Sequence, residues 1–326
     1  MVVDDPREVI EEGRRLLTGE GVEPSPRRAA IVLEAAAKAG SGRANTLLAV
    51  LKASGVGGHK SWSEALDYLE TAARLGEASA RDQLALLTAD QQVTSEQGGD
   101  LHGADPEIWR QVRTNVDLRH WLAPQPAGLL SRTPQIAVFP RFIPHSICRW
   151  LISRGEEDPQ PALVYDEITG ALRPDPLRTN SVRRLGIADS DLVTLLIQAR
   201  IAASTGLSTA RMEGINLLRY DVGQTFAGHV DFLDPAVPLM KAEIDMVGQR
   251  IATFLIYLND DFDGGQTEFP AANLRYRGKP GDAILFYNVR PDGEPDPDSA
   301  HAGLPPTRGR KWLLSQWIRD KPQLIL

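Results

Sequence analysis

A single cysteine in 326 residues, Cys148, allows no internal disulfide and no thiolate-rich zinc site. Any metal must therefore be held by histidines and carboxylates. Histidine is scarce at six residues, so a ligand set has few candidates. No run of 18 or more apolar residues occurs, and the start MVVDDPREVIEEGRR is acidic where a secretory leader would need a basic patch and then an apolar stretch. A cytoplasmic protein with no membrane partner is expected. Basic excess is missing too: the net charge is −7, divided almost evenly between the first 95 residues and the rest, which argues against nucleic acid as a partner. What is present, 42% hydrophobic and 24% charged residues, is globular in composition, and the length suits two domains.

The front of the chain repeats. Residues 29–51 and 65–87 align at a period of 36, sharing Ala29/Ala65, Leu33/Leu69, Ala36/Ala72, Gly40/Gly76, Ala44/Ala80, Leu48/Leu84 and Leu51/Leu87 among ten identities in 23 positions. Small residues fall where two antiparallel helices would cross closely, and Gly40 and Gly76 suit the left-handed turn between them. Leu17 with Gly21-Val22 echoes Leu51 with Gly55-Val56, which points to the second helix of a truncated earlier copy. Each copy reads as a helix pair, and about three stacked units make a minimal array. The pattern resembles short tetratricopeptide-like repeats of the Sel-like kind over residues 1–95. Such an array could simply shield the rest of the chain, or its concave face could grip a protein partner. A linker at 96–134, containing SEQGGD, a helix over 106–121 and the Pro-rich APQPAGLLSRTPQ, would follow.

Past Thr133 the texture changes. GINLLRY, RIATFLIYLND, DAILFYNV and KWLLSQWI are apolar, partly β-branched or aromatic runs bounded by Gly, Pro and Asp. Helices are expected over 145–154 and 189–204. Strands this close together, without alternating helices, favour an antiparallel sandwich or barrel over residues 135–326.

On that scaffold sits His229-Val230-Asp231, whose period-two geometry puts both side chains on one face of a strand end. A carboxylate two residues after a histidine is expected about 0.8 times by chance here, so the dyad alone is weak. His301, 70 residues on before the last strand, completes two imidazoles and one carboxylate, the facial set of a non-haem Fe(II) oxygenase. Iron with that set carries about +1 charge, which welcomes a chelating 2-oxo acid. The distal carboxylate of such a cosubstrate needs a buried cation, and Lys311 on KWLLSQW can supply it. The other histidines, His59, His102, His120 and His145, have no carboxylate at a spacing that fits.

Together with these residues, Tyr220-Asp221-Val222-Gly223-Gln224, GGQTEFP at 264–270, KPGDAILFYN at 279–288 and HAGLPPTRGRKWLLSQWI from His301 resemble the core of the prolyl 4-hydroxylase-type Fe(II)/2-oxoglutarate dioxygenases, over roughly residues 135–322. The resemblance implies an α+β chain with a double-stranded β-helix (jelly-roll) catalytic domain behind the helical repeats. It implies iron on His229, Asp231 and His301, oxoglutarate on Lys311 with Tyr220 and Thr267 nearby, Trp317 in the same pocket, and ascorbate as a reductant that can serve. Arg178-Thr179-Asn180 resembles an Arg-Thr-Ser segment bordering the substrate channel of related hydroxylases, with Asn180 in place of Ser. It lies in a polar, turn-rich stretch at 164–185 expected to be mobile. The insert at 234–250 would form a lid or a channel wall. The reaction expected is hydroxylation of a C–H bond, with O2 consumed and succinate and CO2 released, most readily on a prolyl residue of a peptide or protein docked by the repeats. Two alternatives stay open: hydroxylation of a free amino acid or other small molecule with the repeats used for assembly, and a repeat scaffold carrying an inactive oxygenase domain.

Overall fold

The computed structural model describes residues 6–88, 105–165 and 170–323. SEQGGD at 95–100, His102, the proposed boundary near 95 and residues 166–169 of the expected loop lie outside them. The chain divides into two compact units. One holds the described residues up to Ala123 together with Gly186–Arg200; the other holds Pro124–Leu185 and the described residues from Ile201 on.

In the helical unit, helices Pro26–Lys38 and Gly42–Ser54 form one pair and Trp62–Arg74 and Ala78–Thr88 the next, each element displaced by the 36 residues of the sequence period. The repeated small and apolar positions are the buried ones: Ala29, Leu33, Ala44, Ala65, Leu69, Ala80 and Leu84 are all fully buried. Gly40 and Gly76 adopt φ of 91° and 94°, and the amides just after them, Ser41 and Glu77, donate back to the carbonyls of Ala36 and Ala72. The preceding helix, Pro6–Thr18, buries Leu16 and Leu17 against Leu33 and its neighbours. The expected helix over 106–121 is two short ones, Ile108–Thr114 and Leu118–Leu122, which bury Trp109 and Trp121 in this same unit and so do not act as a linker.

Segment 186–200 also belongs here, although the sequence reading set it in the catalytic half. Its helix, Leu192–Thr205, is apolar nearly all round, with Leu192, Val193, Leu196 and Ile197 buried, and Ile187 and Leu195 join the cluster that contains Leu48 and Leu51. The buried amide of Gln83 caps it, Oε1 accepting from Leu192 N at 3.0 Å. Residues distant in sequence complete the repeat unit's core.

The second unit is built on an eight-stranded antiparallel sheet, in spatial order Gly128–Arg132, Gln135–Phe139, Ala283–Tyr287, Arg250–Tyr257, Lys311–Arg319, Ile215–Tyr220, Ser181–Leu185 and Gln160–Pro161. A four-stranded sheet, Leu274–Tyr276, Thr267–Phe269, His301–Gly303 and Phe226–His229, faces it. This is the expected jelly roll. Period two sorts the central strands. Lys311, Leu313, Ser315 and Trp317 turn toward the smaller sheet, as do Asn216, Leu218 and Tyr220, while Trp312 packs on the outer side, where a side chain at Gly155 of helix His145–Glu156 would strike its ring. Phe254 packs with Phe139 and Phe142, on the opposite face from Leu255. Leu218, Leu255, Phe269, Phe286 and Leu313 form the core between the sheets. The insert after Asp231 contains the helix Pro238–Val247, none of whose residues is buried. Its two ends are tied by Gln249, which donates to Leu233 O and accepts from Leu233 N, both at 2.7 Å. Among the described residues no helix is long and apolar enough to cross a membrane.

Candidate active site

Antiparallel pairing of strand His301–Gly303 with the edge strand Phe226–His229 sets His301 directly opposite His229. Asp231 lies two residues past His229, just beyond the strand. The three side chains converge: His229 Nε2 is 3.6 Å from Asp231 Oδ1, and His301 Nε2 is 3.7 Å from Asp231 Oδ2. Each Nε2 is free to ligate because each Nδ1 lies against a carbonyl, Ala227 O at 2.8 Å for His229 and Ser299 O at 3.1 Å for His301. That contact makes Nδ1 the protonated nitrogen and leaves the Nε2 lone pair for a metal. Metal bonds of about 2.0–2.2 Å to nitrogen and carboxylate oxygen let one ion reach all three groups.

Electrostatics favour the ligating forms. Burial, with the neighbouring His229, pushes His301 down to about 4 despite the pull of Asp231, so its imidazole is neutral at pH 7. Burial opposes charge on Asp231, but His301, His229 and the Thr253 hydroxyl outweigh it and hold the carboxyl well below its usual range. Two imidazoles, each with its Nε2 turned inward, beside a carboxylate make a cation-binding donor set.

Several supports could not be read from spacing. Phe226 stacks on His229 with ring centroids 3.4 Å apart and planes within 10°, and the Arg178 guanidinium covers its neighbouring space at 4.4 Å. Thr253 donates to Asp231 Oδ2 at 2.7 Å, and Asn288 Nδ2 donates to Thr253 at 3.0 Å.

The cavity that holds the triad, about 450 Å³ with its mouth, also receives Tyr220, Thr267, Lys311 and Trp317. Lys311 is wholly buried and its Nζ has no hydrogen-bond partner among the described residues. It sits over the rings of Tyr220 and Tyr257, at 5.1 and 5.5 Å from their centroids, and burial pushes its ammonium down to about 7. An unpaired buried cation is costly to keep, and an anion delivered into the cavity would relieve it. Thr267 Oγ1 meets Tyr257 Oη at 2.7 Å, and the phenol gives its proton to Tyr276 O at 3.0 Å. Tyr220 is buried, its phenol raised to about 12. Arg178 lines the cavity as well, its Nη1 donating to Leu163 O at 3.1 Å. Asn180 does not line it: its side chain is buried at the entry to strand Ser181–Leu185, where Nδ2 donates to Ser181 O. His59 pairs with Glu64 at the surface, and His120 packs beside Trp121.

Facing antiparallel sheets, a triad of two histidines and one carboxylate on the smaller one, and a buried cation on the larger define a non-haem Fe(II) oxygenase of the double-stranded β-helix class. Residues 215–319 match the family model described as the 2OG-Fe(II) oxygenase superfamily. Prolyl 4-hydroxylase 5 of Arabidopsis thaliana is 35% identical over 209 residues, covering 58% of this chain and 70% of the relative. The chain belongs to the prolyl 4-hydroxylase family of these oxygenases. It is therefore a 2-oxoglutarate-dependent dioxygenase that uses Fe(II), 2-oxoglutarate and O2. Among solved structures, the viral collagen prolyl hydroxylase of Paramecium Bursaria Chlorella virus-1 is similar at 23% identity, with a TM-score of 0.43, over 56% of this chain and 95% of that one. A Sel1 repeat protein from Oxalobacter formigenes is similar at 23% identity, with a TM-score of 0.27, over 36% of this chain and 45% of that one.

Proposed function

We propose that this dioxygenase hydroxylates a prolyl residue of a peptide or protein. The observation that carries the cosubstrate half of the reading is Lys311, a buried ammonium without a partner in the cavity that also holds the triad. Kinship with the plant prolyl 4-hydroxylases supports the prolyl half. His229, Asp231 and His301 would hold the iron. When bound, iron supplies the oxidation, with O2 and oxoglutarate, that turns C–H into C–OH and oxoglutarate into succinate and CO2.

The chain's own part is binding and exclusion of water. Lys311 neutralises the distal carboxylate, with Tyr220 and the Thr267–Tyr257 pair beside it as polar neighbours. Leu218, Leu255 and Leu313 give the intervening wall no competing hydrogen bonds. Trp317 presents an indole Nε1–H that is buried and has no partner among the described residues. Its ring is fixed by Arg250, whose guanidinium stacks at 3.8 Å while Glu213 holds it in an ion pair.

The same reading gives the helical repeats a docking role for the protein substrate, supported by the large apolar side chains they leave exposed, Ile31 at 63% and Leu75 at 49%. Deleting residues 1–95 would be a poor test, because Leu48 and Leu51 would be stripped from Ile187 and Leu195. Replacing Ile31 and Leu75 by glutamate leaves that core intact. Lower turnover of protein substrate with unchanged decarboxylation of oxoglutarate is the expected result.

The prolyl reading is tested by incubating lysate proteins and proline-containing peptides with the enzyme, Fe(II), oxoglutarate and ascorbate, with Asp231→Ala as control. Gains of 16 mass units on prolyl residues are expected. Gains confined to other side chains, or to free amino acids, would overturn it.

A further inference from the structure

The Asp231 carboxylate is held from behind by a two-step hydrogen-bond chain, and the direction of each bond in it is forced. Asp231, ionised, can only accept, so the Thr253 hydroxyl must give its single proton to Oδ2. The bond that remains between Thr253 and Asn288 must then be donated by the amide, which makes the nitrogen of Asn288 the atom facing Thr253. Asn288 is completely buried, and its Oδ1 has no partner among the described residues. A buried acceptor left without a partner destabilises the arrangement that keeps it so. Turning the amide to relieve the oxygen would leave Thr253 free to donate to Asn288 and not to Asp231.

The backbone keeps Asn288 from drifting. Its N–H donates to Ile251 O at 2.9 Å and its carbonyl accepts from Asp296 N at 3.0 Å, at the point where the chain leaves strand Ala283–Tyr287. Thr253 stands two residues beyond Ile251 on strand Arg250–Tyr257, on the cavity side with Leu255 and Tyr257, and it lies opposite Trp317 in the register. Neither residue lines the cavity.

We infer that Asn288 is a positioning residue that acts through Thr253 to hold Asp231 as a single-oxygen ligand. With Oδ2 accepting from the Thr253 hydroxyl, turning the carboxylate to bring both oxygens onto the ion would have to strain or break that bond. A two-oxygen grip would take a coordination position that the cosubstrates need. Asn288 orients the hydroxyl, the hydroxyl fixes the carboxylate rotation, and the open side of the site is preserved. The inference rests on His229, Asp231 and His301 being the iron ligands, but not on the identity of the substrate.

The test uses the full chain stripped of metal and titrated with Co(II), whose visible spectrum reports coordination, with affinity measured by chelator competition. Thr253→Val, which keeps the shape and removes the hydroxyl, is expected to weaken Co(II) binding 10- to 100-fold and to change the spectrum. Thr253→Ser should bind like the parent. Asn288→Leu should weaken binding in the parent but add nothing in the Thr253→Val background, because its effect passes through that hydroxyl. Equal losses from Asn288→Leu in both backgrounds would overturn the inference, as would parental affinity and spectrum in Thr253→Val. Unfolding midpoints of the metal-free proteins identify any variant that misfolds, and Asn288→Ser then replaces Asn288→Leu in the cycle. No substrate enters the experiment, so its failure would leave the prolyl reading standing.

Discussion

Replacing Lys311 by methionine should stabilise the ligand-free protein while destroying its affinity for oxoglutarate. The side chain is 0% exposed and burial lowers its ammonium from 10.5 to about 7. The unfolded chain therefore holds that proton up to about pH 10.5, the folded one only to about 7. Unfolding takes up a proton throughout this window, so stability rises with pH across it, by at most about 1.4 kcal/mol per pH unit. Over the whole window the gain is on the order of 4–5 kcal/mol, and a methionine of similar length escapes the same cost at pH 7. Urea unfolding of metal-free protein between pH 6 and 10 would measure both: an upward slope for the parent, and a flatter, higher line for Lys311→Met. Oxoglutarate affinity of the parent should fall by up to tenfold per pH unit above 7, as the ammonium that meets its carboxylate is lost. A Lys311→Met protein less stable than the parent at pH 7, or a parent whose stability does not rise above that pH, would refute the account of Lys311 as an unpaired cation awaiting an anion.

Asp231→Ala should fold yet neither retain iron nor release succinate, checked by metal analysis and a succinate assay. Phe226→Ala, which removes the ring stacked on His229, is expected to weaken metal binding about tenfold with little change in the oxoglutarate dependence of the loaded enzyme. Gly281→Ala should cost several kcal/mol, since φ is 87° there and a Cβ would collide with the Ile143 carbonyl. Gly76→Ala, at φ of 94° but facing open space, should cost only about 1–2 kcal/mol, so thermal unfolding should separate the two.

The parts of the structure legible in the sequence are those where a period reports burial. Ala29 and Ala65, 36 residues apart, are both fully buried because two copies of one helix pair pack alike. Lys311 could be placed because Trp312, Leu314 and Trp317 mark its strand as buried, which leaves no solvent for its ammonium. The metal triad followed from side-chain chemistry, and strand pairing then set His301 against His229. What stayed hidden depends on long-range packing. Phe226 lies three residues before His229, a separation that would put them on opposite faces of a regular strand, so their stacking could not be inferred. Asn288 and Thr253 are 35 residues apart and meet only across paired strands. Tyr257 could have been found, since it shares its strand face with Thr253 and Leu255 inside the run RIATFLIY. Segment 186–200 was misplaced because chain order says nothing of which core an apolar helix completes.

The paired hydrogen bonds between Gln249 and Leu233 close the excursion from 234 to 248 at its base, while the buried Arg319 grips it through Glu243 and the Gly248 carbonyl. Its stem is closed by one side chain, as a rung closes a ladder, and that rung stands two residues from Asp231. A shorter turn or foreign loop grafted between the two anchor points would keep the Gln249–Leu233 rung but strip Arg319 of its Glu243 partner. Any exchange of the excursion therefore has to carry a carboxylate for Arg319, because Arg319 also holds Glu213, the partner of the Arg250 that stacks on Trp317.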